Sequence, residues 1–321
     1  MKIIMNTCVA CAMIALLLQT TLAAAPMEGK GGPRLGSPGG GPVIDKSSDK
    51  LLQQMITTCV PKFVQERFVD EKNGATISYN LFRPASASSG TGKPLVLFMA
   101  DASTPGKDVS RPLLQGYGGL VWATDEWQTI NPCYVLVPQF SGVAVNDDYE
   151  RSIEVDAVLR LVEQIATTEN IDKNKIYTTG QSMGGMISMY FVAQNPDIFA
   201  SSLFVDCHWD SNVFPELVRS TFTFITAGNS GKSFANISGL ENAARAVGRP
   251  YAFAEWSARL PLGEQDKLAN ELFAKGAPIN IINFTPKTVL PVDGRGSEHM
   301  YSFDCAYRLR PVMEWLFRQS K

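Results

Sequence analysis

Histidine is almost absent from this chain: His208 and His299 are its only two. A metal centre built on imidazoles has little to draw on. Cysteine does not fill the gap. Of six cysteines, Cys8 and Cys11 lie in the leading apolar segment, and Cys59, Cys133, Cys207 and Cys305 are far apart with no C-x-x-C among them. No metal site and no cofactor are therefore expected, and any chemistry should survive chelation. Excess charge is lacking too. With 29 basic and 31 acidic side chains the net charge is −2, which offers nothing to nucleic acid or an anionic membrane. Beyond the first 25 residues no stretch is apolar for long enough to span a bilayer. Internal repeats are missing as well.

What is present begins with a targeting pattern. Lys2 gives a positive start, Ala12 to Leu18 a short apolar core, and Leu22 to Ala25 small residues for cleavage. Residues 1–25 therefore read as a secretory signal peptide, which predicts a secreted or periplasmic protein. The cleavage point stays open. Residues 26–49 are dense in glycine and proline up to Asp45 and read as a flexible leader. Residues 50–321 form one globular length, with 45% hydrophobic residues in the whole chain to fill a core. In an exported chain the four later cysteines can form two disulfides, in any of three pairings.

Val64 to Asp70 and Ala75 to Phe82 predict two strands around a turn at Glu71 to Gly74. The apolar runs Leu95 to Ala100 and Cys133 to Val137 predict central parallel strands. Pro112 to Ile130 carries one or two helices. Asp148 to Thr168 predicts a helix, because Val158, Val162 and Ala166, with Leu161 and Ile165, share a face. Strands follow at Ser201 to Val205, Thr221 to Ala227 and, as the last, Ile279 to Phe284; Pro311 opens a final helix. The alternation gives the α/β class: a mostly parallel central sheet with helices on both faces.

The most informative stretch is Lys175 to Pro196. Gly180-Gln181-Ser182-Met183-Gly184 is a G-x-S-x-G pattern between a short strand and the apolar run Met186 to Ala193. Strand, sharp turn and helix make a nucleophile elbow, with Ser182 on the tip. The N–H of Met183 and the positive helix end would stabilise a developing oxyanion. A serine hydroxyl needs a base to become a nucleophile, and imidazole titrates near neutrality. His299 lies downstream in a loop after the last strand, near Gly294 to Ser297, and suits that role. His208 reads as a polar residue near a strand end.

These residues, with Asn131 to Gln139, Asn170 to Tyr177 and the run from His299 through Leu316, resemble a known family. It comprises the secreted α/β-hydrolases described as predicted peptidases, close to polyhydroxybutyrate-depolymerase-like and feruloyl-esterase-like carboxylesterases. The resemblance runs from about Ala75 to the end and is poor between about Cys207 and Asn280. It implies an α/β-hydrolase fold and hydrolysis of small or polymeric esters by a Ser-His-acid triad, with Ser182 as nucleophile and His299 as base. A serine peptidase of the same fold, or a hydrolase-fold protein that has lost activity and only binds, are the alternatives.

Two departures stand out. Where the family has His-Gly after its oxyanion strand, this chain has Ala100-Asp101, so the second oxyanion donor is expected to be the backbone N–H of Ala102. The loop Gly228 to Ser233, the family's usual place for the acid, holds no Asp or Glu. Asp206, directly after the strand Ser201 to Val205, is the candidate in its place; Asp210 and Glu255 are further options, as is a Ser-His dyad. Gly231-Lys232-Ser233 resembles the end of a phosphate-binding loop, but Thr226 stands where that motif needs glycine. Trp209, Phe214, Tyr251, Phe253 and Trp256 are candidates for a pocket wall, though core is the plainer role for most of them.

Overall fold

The computed structural model describes residues 34–40, 43–85, 87, 91–228 and 230–321. The expected signal peptide lies outside them. Nine strands among the described residues form one sheet: β1 Val64–Val69, β2 Thr76–Phe82, β3 Lys93–Met99, β4 Tyr134–Gln139, β5 Ile171–Gln181, β6 Ser201–Val205, β7 Phe222–Ala227, β8 Tyr251–Trp256 and β9 Ile279–Phe284. The spatial order is β1-β2-β4-β3-β5-β6-β7-β9-β8. β1 and β2 are antiparallel to their neighbours, and every pairing from β4 through β3 to β8 is parallel.

Continuous apolar runs become inner strands because both faces are covered. Ten α-helices among the described residues do most of the covering: α1 Lys50–Cys59, α2 Arg111–Leu114, α3 Asp125–Ile130, α4 Ile153–Thr168, α5 Met183–Gln194, α6 Phe214–Leu217, α7 Lys232–Ala246, α8 Leu262–Phe273, α9 Glu298–Tyr307 and α10 Arg310–Phe317. One core layer joins α4 to α7 with one set of strand side chains; the other joins α1, α8, α9 and α10 with the opposite set. α5 runs through the middle, and Met186, Ile187, Met189, Phe191 and Val192 are all buried. Each such side chain contributes roughly 1.5–3 kcal/mol. That burial holds the helix hard against the tips of β3 and β5.

Several expectations change. β8 was not anticipated: Tyr251–Trp256 is an edge strand, and its Phe253 is 39% exposed. An edge strand needs only one apolar face, so its aromatics mimic a loop cluster in sequence. α4 starts at Ile153 rather than Asp148. Before it, the Asn146 carboxamide oxygen accepts the N–H groups of Asp148 and Glu150, Tyr149 takes φ 64°, and Val145 bridges to Arg151, so those residues form a closed turn. The described part of the leader is fastened. Gly36 and Gly39 donate to the carbonyls of Val143 and Pro105, Gly40 donates to that of Ala102, and Val143 donates back to that of Ser37.

The two possible disulfides do not form. Cys59, Cys133, Cys207 and Cys305 are free thiols. Cys133 lies beside Gln128, and Cys207 lies against the Met189 sulfur. Burial pushes the Cys133 thiol up to about 12 and that of Cys305 to about 11, so neither ionises near neutrality.

Candidate active site

Ser182 sits between β5 and α5 with φ 49° and ψ −119°, a left-handed conformation for a residue with a side chain. Such a backbone persists only where its surroundings dictate it. Two glycines show how. A Cβ on Gly184 would collide with the carbonyl of Met99, and one on Gly180 would collide with Gly184 itself. Only with both absent can α5 start so close to β3. The Ser182 N–H donates to Val205 O at 3.0 Å, tying the tip to β6.

The other side chains come from neighbouring strand ends. Asp206 follows β6 directly, also with positive φ (40°), and is fully buried. Its N–H is held by Ile225 O at 2.7 Å. His299 is the second residue of α9 rather than a loop residue as expected; its ring packs edge-on against Phe303 one turn later. His299 Nε2 lies 2.9 Å from Ser182 Oγ, and His299 Nδ1 lies 3.3 Å from Asp206 Oδ1. The three residues singled out in the sequence are thus brought into one line. The same Asp206 oxygen accepts a hydrogen bond from the Thr226 hydroxyl at 3.3 Å, and Thr226 is bonded to the Ser230 hydroxyl at 2.8 Å. Asp210 instead caps Asn212, and Glu255 accepts from the Asn283 amide on the adjacent strand. Neither approaches the histidine.

Burial pulls the His299 imidazole down, but the hydrogen bond and charge of Asp206, with the charges of Asp101 and Asp147 behind it, outweigh that and push it above its ordinary value. Asp101 adjoins Ala102, and a carboxylate close to a developing oxyanion would oppose it. Its Oδ1 accepts the Ser103 N–H at 2.7 Å, its Oδ2 has no partner among the described residues, and the residue lines a separate cavity with Lys46 and Gln115. Ala102 faces the cavity that contains Ser182, Met183, Asp206 and His299. Among the described residues neither the Met183 nor the Ala102 N–H is engaged by another group.

Sequence reading missed the struts beneath this arrangement. The Gln181 amide donates to Gln115 Oε1 at 2.9 Å, the Gln115 amide donates to the Ser103 hydroxyl at 3.1 Å, and the Asp101 N–H donates to Gln115 Oε1 at 3.4 Å. This pair of glutamines fixes the loop after β3 against the serine turn. Gln181 was visible inside the pentapeptide, but nothing local marks Gln115 as its partner. The cavity, about 350 Å³, also takes in Val145, Met186, Asp147, His208, Lys232 and Ser233. None of the five aromatics considered for its wall is there: Trp209, Phe214 and Trp256 are core, and Tyr251 and Phe253 lie on β8. Among the described residues no group of three or more His, Cys, Asp or Glu could hold a metal, and no helix is long and apolar enough to cross a membrane.

Comparison with solved structures adds the fold. A thermostable esterase superposes with a TM-score of 0.63 at 22% identity, over 82% of this chain and 64% of that one. The fold is that of the α/β-hydrolases. A feruloyl esterase module from Clostridium thermocellum (TM-score 0.52, 13% identity, 86% of this chain and 94% of that one) shares it. So does an S-formylglutathione hydrolase from Agrobacterium tumefaciens (0.50, 12%, 81% and 96%). This chain spans just under two thirds of the length of the thermostable esterase. No family model matches the sequence, and no curated protein does.

Proposed function

We propose that this protein is an exported serine hydrolase that cleaves carboxylic esters through an acyl-enzyme. The observation that carries the reading is the contact line from Ser182 Oγ through both His299 nitrogens to Asp206. Ser182 Oγ attacks the ester carbonyl while His299 Nε2 takes its proton. The N–H groups of Met183 and Ala102 hold the oxyanion. Collapse expels the alcohol, which receives the proton from His299, and water then repeats the sequence to release the acid. Asp206 holds the imidazole with its Nδ1 protonated and steadies the imidazolium. Export rests on residues 1–25, and a small or polymeric ester fits the open, partly apolar cavity. Against the reading of a decayed, purely binding protein stands the carboxylate that meets His299. A peptide would follow the same steps with an amine as leaving group.

A fluorophosphonate probe is expected to label the protein at Ser182, mapped by mass spectrometry; labelling elsewhere or nowhere overturns the proposal. The pH profile of the same reaction carries a second expectation. His299 must be neutral to act as base, and its pKa is raised. The acidic limb of kcat/KM should therefore fall above about 6.5, the ordinary histidine value. A limb well below that value contradicts the Asp206 contact.

A further inference from the structure

Asp101 stands where the resembled family has glycine, and it is only 2% exposed. Its Oδ2 has no partner among the described residues. A carboxylate held in that state has lost water that nothing fully replaces, so its presence calls for a compensating role. The other oxygen supplies one. Oδ1 accepts the Ser103 N–H at 2.7 Å and so closes an Asx turn around Ala102. Asp101 O accepts the Thr104 N–H at 3.3 Å and the Thr104 hydroxyl at 3.0 Å, so the backbone turns over the same residues. The Asp101 N–H donates to Gln115 Oε1 at 3.4 Å. The loop is also held from outside: Gly40 donates to Ala102 O at 3.2 Å, and the Gln139 amide donates to Thr104 O at 2.9 Å. Of the four N–H groups from Asp101 to Thr104, only that of Ala102 is uncommitted among the described residues. The two neighbours also part company at this turn. Asp101 lines the cavity of Lys46 and Gln115, whereas Ala102 lines that of Ser182.

From this arrangement we infer that Asp101 is a positioning residue: its Asx turn sets the Ala102 N–H as the second oxyanion donor, through the acceptor oxygen rather than through charge. This deepens the ester-hydrolase reading and rests on it. Without Oδ1 the Ser103 N–H loses its partner and the backbone at Ala102 is free to swing. A donor displaced by about 1 Å can lower turnover roughly a hundredfold. Asparagine separates acceptor from charge. Its carboxamide oxygen can accept the same N–H, and its NH₂ replaces Oδ2, where no bond is broken. Alanine removes the acceptor, and leucine removes it while filling the volume.

The test compares the wild-type protein with Asp101→Asn, Asp101→Ala and Asp101→Leu in hydrolysis of p-nitrophenyl butanoate. The pH is set above the acidic limb, where the charge that Asp101 lends His299 does not enter. Asp101→Ala and Asp101→Leu should lower kcat roughly ten- to a hundredfold with KM within about threefold, because the donor matters to the oxyanion more than to the bound ester. Asp101→Asn should recover kcat to within about threefold of wild type. A trifluoromethyl ketone gives a second measurement. Ser182 Oγ bonds to its carbonyl carbon, the carbonyl oxygen takes the negative charge, and His299 takes the serine proton. Affinity for this ketone should fall in step with kcat across the four proteins. Several results overturn the inference: near-normal turnover in the alanine or leucine protein, an asparagine protein as slow as the alanine one, or a loss confined to KM. Failure of both the alanine and leucine proteins to fold also overturns it, making Asp101 a stability residue. Ester hydrolysis that is intact in all four proteins sinks Asp101 and keeps the hydrolase. A wild-type protein that neither hydrolyses the ester nor binds the ketone sinks the hydrolase, and the role of Asp101 falls with it.

Discussion

Ser182→Ala is expected to lower kcat for ester hydrolysis roughly 10⁴- to 10⁶-fold, a loss of about 5–8 kcal/mol of transition-state stabilisation. The structure explains why the fold should scarcely notice. Only Oγ and its 2.9 Å contact with His299 are lost, costing about 1 kcal/mol. The backbone strain at φ 49° stays, because alanine also carries a Cβ. Denaturant melts should therefore overlay, while fluorophosphonate labelling disappears. Turnover within tenfold of wild type would remove Ser182 from the mechanism, whatever the geometry around it.

The second large effect concerns Asp206. Asp206→Asn keeps the shape of a fully buried side chain. It places an amide opposite His299 Nδ1 and so favours the wrong tautomer, with Nδ1 unprotonated. The expected fall in kcat is roughly 10³- to 10⁴-fold, with KM little changed. A merely structural role would not reproduce the accompanying pH shift. Burial lowers the His299 pKa and Asp206 is the first influence opposing it. Without that carboxylate the acidic limb should move to lower pH. Unchanged turnover, or a limb that stays in place, would leave Asp206 as a strand-end carboxylate.

The serine was legible because its information is local: two glycines, a β-rich run before and an apolar run after fix the turn within about ten residues. Asp206 could be reached because fold order puts the tip of β6 beside that of β5, and Thr178 pairs with Ser202 in that register. Thr226, in contrast, had entered only as the residue that broke a phosphate-loop pattern; its hydroxyl in fact supports the acid. Gln115, Asp147 and Lys232 reach the site from separate loops and helix ends, and no spacing rule in one sequence connects them. The region after Cys207 was opaque for a related reason. β8 adds to the sheet beyond β9, out of sequence order, so its strand identity depends on a partner that follows it in the chain.

Lys46 forms an ion pair with Asp304 and donates to Gln115 O at 2.8 Å. A residue from early in the described chain thus meets the helix of His299 beside the loop that carries Ala102. Domains generally fold as units. Under the proposed mechanism Ser182 would therefore gain its base only once α9 has docked, and a fragment lacking α9 is expected to leave the serine unreactive.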